Sequence, residues 1–177
     1  MHATEISTNL RLASLTKDLD SLDERCRSNA FRDMLSLAEE GDSEAMFQVA
    51  RCLQQGIGVE VDTVVADRWL RRSCVTSPAS RLGLYTYGMQ HVMQQRPDAD
   101  PVKGITFLER AASQGYVRAI LALVDVVENG RTDLKPDLHR AYRILANSLD
   151  NSSDAQLHGA YTRFVERHTP IINLLDS

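Results

Sequence analysis

Leu37-Ala38-Glu39-Glu40-Gly41-Asp42-Ser43-Glu44-Ala45 has a second version later in the chain, Ala111-Ala112-Ser113-Gln114-Gly115-Tyr116-Val117-Arg118-Ala119. Ala38 maps to Ala112, Gly41 to Gly115 and Ala45 to Ala119, all at a separation of 74, and the same offset carries Gly56 to Gly130. A further set, Ala66-Asp67-Arg68-Trp69-Leu70, Gly104-Ile105-Thr106-Phe107-Leu108 and Ala141-Tyr142-Arg143-Ile144-Leu145, lines up at steps of 38 and 37, half the long offset. A fixed period of this length marks a stacked repeat architecture. Small and large residues staying in register across three segments is not what chance alignment gives.

Each position in the quoted stretch has a role in a helix hairpin. A glycine just past an apolar-periodic run suits a left-handed helix C-cap, because it has no Cβ to clash. Asp42-Ser43 then starts the next helix as an N-cap. That helix carries Ala45, Val49, Ala50 and Leu53 at helical spacing and ends at Gln55-Gly56-Ile57-Gly58. Small residues on this face let two helices approach, while Trp69, Phe107 and Ile144 fill the space between neighbouring pairs. One pair cannot bury its apolar face alone, so pairs must stack.

With these residues in place, the chain resembles the Sel-one-like repeat (SLR) family, relatives of tetratricopeptide solenoids. The pattern is carried by Gly56-Ile57-Gly58-Val59-Glu60-Val61-Asp62, by Ala111-Ala112-Ser113-Gln114-Gly115-Tyr116 and by Leu82-Gly83, and the resemblance runs over 37–149. Two loops depart from it. The second unit reads Gln94-Gln95-Arg96-Pro97-Asp98-Ala99-Asp100-Pro101 with no Gly-x-Gly, and the third reads Gly130-Arg131-Thr132-Asp133. The expected fold is all-α, a short α/α superhelical solenoid of about three helix-pair repeats with capping helices at both ends. The resemblance implies a non-enzymatic scaffold that binds other proteins in signalling, secretion or envelope processes of bacterial type.

The flanks read as caps, over 1–36 and 150–177. Leu12, Leu15, Leu19, Leu22 and Cys26 alternate three and four apart, a narrow apolar stripe over two heptads. It serves either as a cap helix on the first unit or as a homodimer seam. Residues 28–40, with Phe31, Met34, Leu35 and Ala38, read as the second helix of an incomplete leading unit. Residues 151–168 read as a closing helix with Leu157, Tyr161, Phe164 and Val165 inward. The tail Ile171-Ile172-Asn173-Leu174-Leu175 follows Pro170 and either packs on the last helix or docks on a partner.

Composition bounds the remaining possibilities. The 177 residues are 43% hydrophobic, and a chain of this length can bury roughly 70% of its unfolded surface without a disulfide or metal. The net charge of −4 is uneven: residues 1–62 hold 12 acidic and 6 basic side chains, residues 63–177 hold 12 and 14. An acidic front and a scattered basic excess behind it do not make a phosphate-tracking surface, so nucleic acid is not an expected partner. No apolar run reaches the length of a signal peptide or a membrane span. Cys26, Cys52 and Cys74, an odd count, then read as reduced thiols of a cytoplasmic protein.

No catalytic or cofactor motif emerges. His2, His91, His139, His158 and His168 lie at no metal-ligand spacing and read as exposed helix residues. Gly83-Leu84-Tyr85-Thr86-Tyr87-Gly88 has the glycine spacing of a phosphate loop, but Met89-Gln90 stands where Lys-Ser/Thr is required, so a helix is expected. No Gly-x-Ser-x-Gly elbow is present. The expectation is therefore no enzyme, no cofactor and no metal. What remains is the concave side, which in such solenoids takes a peptide or helix. Its expected residues are Gln48, Arg51, Gln54 and Gln55 in the first unit, Tyr85, Tyr87 and Met89 in the second, and Arg118, Asp125 and Glu128 in the third. Rival expectations are a dedicated chaperone or immunity-type inhibitor with one cognate partner and, after it, an enzyme whose site no motif reveals.

Overall fold

The computed structural model describes the backbone of residues 2–131, 134–150 and 152–175, and within them the side chains of positions 8–169. These residues form α1 (His2–Leu19), α2 (Glu24–Glu39), α3 (Ser43–Gln55), α4 (Thr63–Val75), α5 (Arg81–Val92), α6 (Pro101–Ser113), α7 (Val117–Asn129), α8 (Leu138–Leu149) and α9 (Ala155–Leu175). Among the described residues there is no β-strand, only an isolated bridge between Arg131 and Leu134. The fold is all-α, as the period requires. Residues 1–83 and 84–177 form two compact bodies.

In the first body α2 ends where the quoted stretch says it should. Gly41 takes φ +107, its N–H donates to Ala38 and the N–H of Asp42 donates to Leu37. These two bonds make a Schellman closure, satisfying carbonyls that the end of α2 would leave unpaired. Asp42 then caps α3, its carboxylate accepting from the Ala45 N–H at 2.8 Å. All four residues expected on the inner face of α3, Ala45, Val49, Ala50 and Leu53, are buried. Ala45, Val49 and Leu53 meet Met34, Leu37 and Ala38 of α2 and Leu15 and Leu19 of α1 in one core. Burying each large apolar side chain is worth about 1.5–3 kcal/mol.

The two glycines of Gly56-Ile57-Gly58 do different things. Gly56 closes α3 in the left-handed region at φ +72. At Gly58, also left-handed at φ +66, a Cβ would lie 2.4 Å from the Arg27 carbonyl oxygen, so the loop sits directly on the backbone of α2. Asp62 then ties the loop down, its N–H donating to Leu53 at 2.9 Å while its side chain caps α4 through Val64 and Val65.

The second body repeats this plan. Gly115 at φ +74 closes α6, with Gly115 donating to Ala112 and Tyr116 to Ala111, the same closure displaced by 74 residues. Asp100 caps α6 and Asp137 caps α8. Leu108, Leu123, Val126, Ala141, Leu145 and Phe164 centre the core. Leu157 and Phe164 of α9 are buried, and Tyr161 and Val165 pack beside them, in line with the closing-helix reading.

Several expectations at the ends are corrected. α1 stops at Leu19, so Leu22 lies in the turn before α2 and is 98% exposed. Asp23 breaks the stripe by capping α2, and Ser21 Oγ accepts the Asp23 N–H. Leu15 and Leu19 are buried within their own body and Leu12 packs against that core, so the four leucines do not form one seam. α2 begins at Glu24, four residues earlier than the pattern suggested. The tail after Pro170 is no separate segment either, because α9 continues to Leu175; its side chains lie outside the described residues.

Candidate functional site

The expected binding residues do not share one fate. On α3, Gln48 is buried and its Oε1 has no hydrogen-bond partner. Arg51 is half-buried, 3.7 Å from the Asp20 carboxylate, with Nε and Nη2 lacking hydrogen bonds. Gln54 and Gln55 alone are open to solvent. Gln48 is therefore corrected from a surface position to an interior one. Its place beside Ala45 and Val49 on the inner arc of α3 explains this, and only its polar side chain suggested otherwise.

Tyr87 is corrected in the same way. It is 3% exposed, its ring edge-on to Phe107 at 4.9 Å and to His91 at 4.7 Å. His91 is buried completely, against the reading of the histidines as exposed. His168 is part-buried and contacts Glu128 at 3.0 Å. His139 and His158 are exposed as expected, and His2 lies outside the described side chains.

Around α5 and α7 the remaining residues do converge. Tyr85 is half-buried, its ring edge-on to Tyr116 with centroids 5.4 Å apart. The exposed Arg118 places its guanidinium 5.7 Å from the Tyr85 ring centre. Met89, half-buried, lies one turn along α5, and Met93 another turn on, 42% exposed. A depression of about 350 Å³ opens there, lined by Val92, Met93, Gln94 and Arg131. The Arg118–Tyr85 contact puts the start of α5 beside the start of α7.

The acidic residues of α7 are already engaged. Asp125 accepts from Asn129 at 2.9 Å and pairs with Arg131 at 3.0 Å. Glu128, only 10% exposed in its side chain, holds Arg167 and His168 of α9. Asp125 remains open to solvent, whereas Glu128 serves mainly to tie α9 down.

Tyr116, Met93 and Arg131 were missed as site residues. Tyr116 belongs to the corner in the sequence pattern; in the structure it follows the left-handed Gly115 and its side chain meets Tyr85 of α5. Met93 continues the four-residue spacing of Tyr85 and Met89, a signal that was legible.

Titratable groups are perturbed by burial. It pushes the Cys52 thiol up to about 11. It raises the Glu44 carboxyl, against a hydrogen bond from Ser80 and the charge of Arg81. It lowers His91, with Arg96 next in effect. Among the described residues no three His, Cys, Asp or Glu side chains are grouped to hold a metal. Nor is any helix among them long and apolar enough to cross a membrane.

Repeated α-hairpins with Schellman corners and aspartate caps define the class: a helix-pair repeat protein. The family model for the Sel1 repeat matches residues 43–74 and 79–116, which are the α3–α4 pair and the α5–α6 pair with its closing corner. Among solved structures the chain is similar to a protective antigen of uropathogenic Escherichia coli displaying an SLR fold, at 16% identity and TM-score 0.65. That likeness covers 80% of this chain but about 30% of the antigen. It is also similar to a Sel1 repeat protein from Oxalobacter formigenes, at 22% identity and TM-score 0.63, over 75% of this chain and 96% of that one. A search of curated proteins matches none. The chain carries Sel1 repeats and has the SLR fold. Sel1 repeat proteins generally mediate protein–protein interaction and are typically non-enzymatic scaffolds.

Proposed function

We propose that this protein is an adaptor that holds a segment of a partner protein against α5 and α7 of the second body. The observation that carries the proposal is the cluster of Tyr85, Tyr116 and Arg118, in which a half-buried ring and an exposed guanidinium both meet the half-buried Tyr85. Tyrosine and arginine are the residue types that dominate binding energy at protein interfaces, because they offer large contact area at low entropic cost. Met89 on α5 and Met93 just beyond its end add flexible apolar contacts. Asp125 and Arg131 supply a polar border at the far end. Residues 1–36 and 150–177 act as the caps of the array. None of Cys26, Cys52 and Cys74 is in a disulfide and the last two are buried, which supports a reducing, cytoplasmic setting.

The test is capture of partners on the tagged full chain, followed by mass spectrometry, then a direct binding measurement. Arg118→Glu combined with Tyr85→Ala should weaken binding about tenfold or more, with helical circular dichroism retained. Unchanged affinity in that double variant sinks the assignment of this face. Several captured partners support the adaptor. A single stoichiometric partner whose own activity is masked would instead make the protein a dedicated inhibitor or chaperone.

A further inference from the structure

His91 occupies the place of Leu53 in the α3–α4 pair, 38 positions earlier, and of Glu128 in the α7–α8 pair, 37 positions later, where the preceding residue, Val127, supplies the carbonyl. In those pairs the cap aspartate's N–H is taken by a backbone carbonyl: Asp62 donates to Leu53 and Asp137 to Val127. In the α5–α6 pair the corresponding N–H, that of Asp100, donates to the His91 side chain instead, at 3.1 Å from Nδ1. That bond requires Nδ1 to carry a lone pair, so the ring is neutral with its proton on Nε2. Nε2 is buried and has no partner.

The surroundings oppose a second proton. The loop folds over the ring from one side, with Arg96 lying 4.6 Å over Tyr87, bonded to Gln90 and Asp98 and only 9% exposed in its side chain. Tyr87 meets the ring edge-on and Phe107 of α6 stacks on it at 6.2 Å. The charged groups around His91 are Arg96 and Lys103, which resist a positive ring, and Asp98 and Asp100, which favour one. Burial and Arg96 prevail, and the imidazole sits below its usual value.

We propose that residues 97–100 form an acid-released strap, tethered through the lone pair of His91 Nδ1 and let go when that nitrogen takes a proton. Protonation replaces an acceptor with a donor facing the Asp100 N–H, and sets a second cation in a buried site beside Arg96. The sign follows from the depressed value: the unfolded ring binds the proton more readily than the folded one. The tether's contribution is therefore complete above about pH 6.5 and lost as pH falls below it. Asp62 and Asp137 have carbonyl partners with nothing to titrate, so the other two pairs stay closed.

The test is an NMR titration of the full chain from about pH 7.5 to about pH 5, following the His91 ring nitrogens and the amides of Ala99, Asp100, Asp62 and Asp137. The Asp100 and Ala99 amides should move together with the His91 ring while those of Asp62 and Asp137 stay in place. His91→Gln keeps an acceptor without a titrating group and should abolish the movement. His91→Leu, the residue at position 53, should give a second acid-insensitive variant if the glutamine does not fold. An Asp100 amide that holds its position across the range in the unmodified protein overturns the proposal, as does the same movement in either variant.

Discussion

The α3–α4 and α5–α6 pairs are built to one plan from different parts. Ala50 and Ala66 in the first correspond to Gly88 and Gly104 in the second. Both alanines are buried, so their methyl groups fit. In the second pair they would not: a Cβ on Gly104 would fall 2.8 Å from the Gly88 carbonyl oxygen and 2.9 Å from the Val92 nitrogen. Here α5 and α6 touch backbone to backbone. The turns differ likewise. Gly56 closes α3 with a left-handed residue, and Gln94 does the same for α5 at φ +53. Gln94 donates to His91 and Gln95 donates to Gln90, completing a Schellman closure with no glycine in it. What recurs is a set of hydrogen bonds and backbone conformations, and side chains change wherever another chemistry can satisfy the same set.

The contrast can be broken most forcefully at the crossing. Gly104→Ala should cost about 2–3 kcal/mol by chemical denaturation, because the obstructing atoms are backbone and cannot swing aside. The converse change, Ala66→Gly, should cost about 1 kcal/mol through backbone freedom and lost packing. Equal costs would mean that the two crossings are equally tight. Gly115→Val comes next. Nothing lies within 4 Å of a Cβ there, so only the left-handed φ opposes the substitution, and a loss of about 1–2 kcal/mol in a thermal melt is expected. A melt that does not change would remove the conformational account of the corner. The smallest effect has the opposite sign. Gln94→Gly should stabilise the second body by about 1 kcal/mol, since glycine enters the left-handed region freely; a destabilised variant would show that the Gln94 side chain earns its place.

Much of this was legible. Gly41, Asp42 and the Ala45–Leu53 face follow from period and capping alone, because those interactions span a few residues and leave a local trace. The 38- and 37-residue steps also foretold more than was drawn from them. Asp62, Asp100 and Asp137 stand at the same steps as Ala66, Gly104 and Ala141, so the three caps could have been aligned and the register of the second pair recovered without Gly-x-Gly. Applied to His91, the same steps place it under Leu53 and mark it as interior. Its polarity misled, as did that of Gln48, because burial is decided by a helix's neighbours and not by the side chain's own preference. Leu22 misled in the other direction: spacing continued the stripe, but Asp20, Ser21 and Asp23 had already turned the chain. At the candidate site, Tyr85, Met89 and Arg118 could be read from helical spacing. Their juxtaposition with Tyr116 depends on the angle at which the Gly115 corner releases the chain, which no local pattern encodes.

The corners at Gly41 and Gly115 are both closed by bonds reaching back three and five residues, and each turns on a glycine of positive φ. Such joints are interchangeable. A chain cut after Gly41 and resumed at Tyr116 would meet the same pair of closing hydrogen bonds, with two whole hairpins removed and none left half-built. Lineages carrying this kind of joint can gain or shed hairpins by simple duplication or deletion, and the number of units then varies far more readily than the form of any one of them.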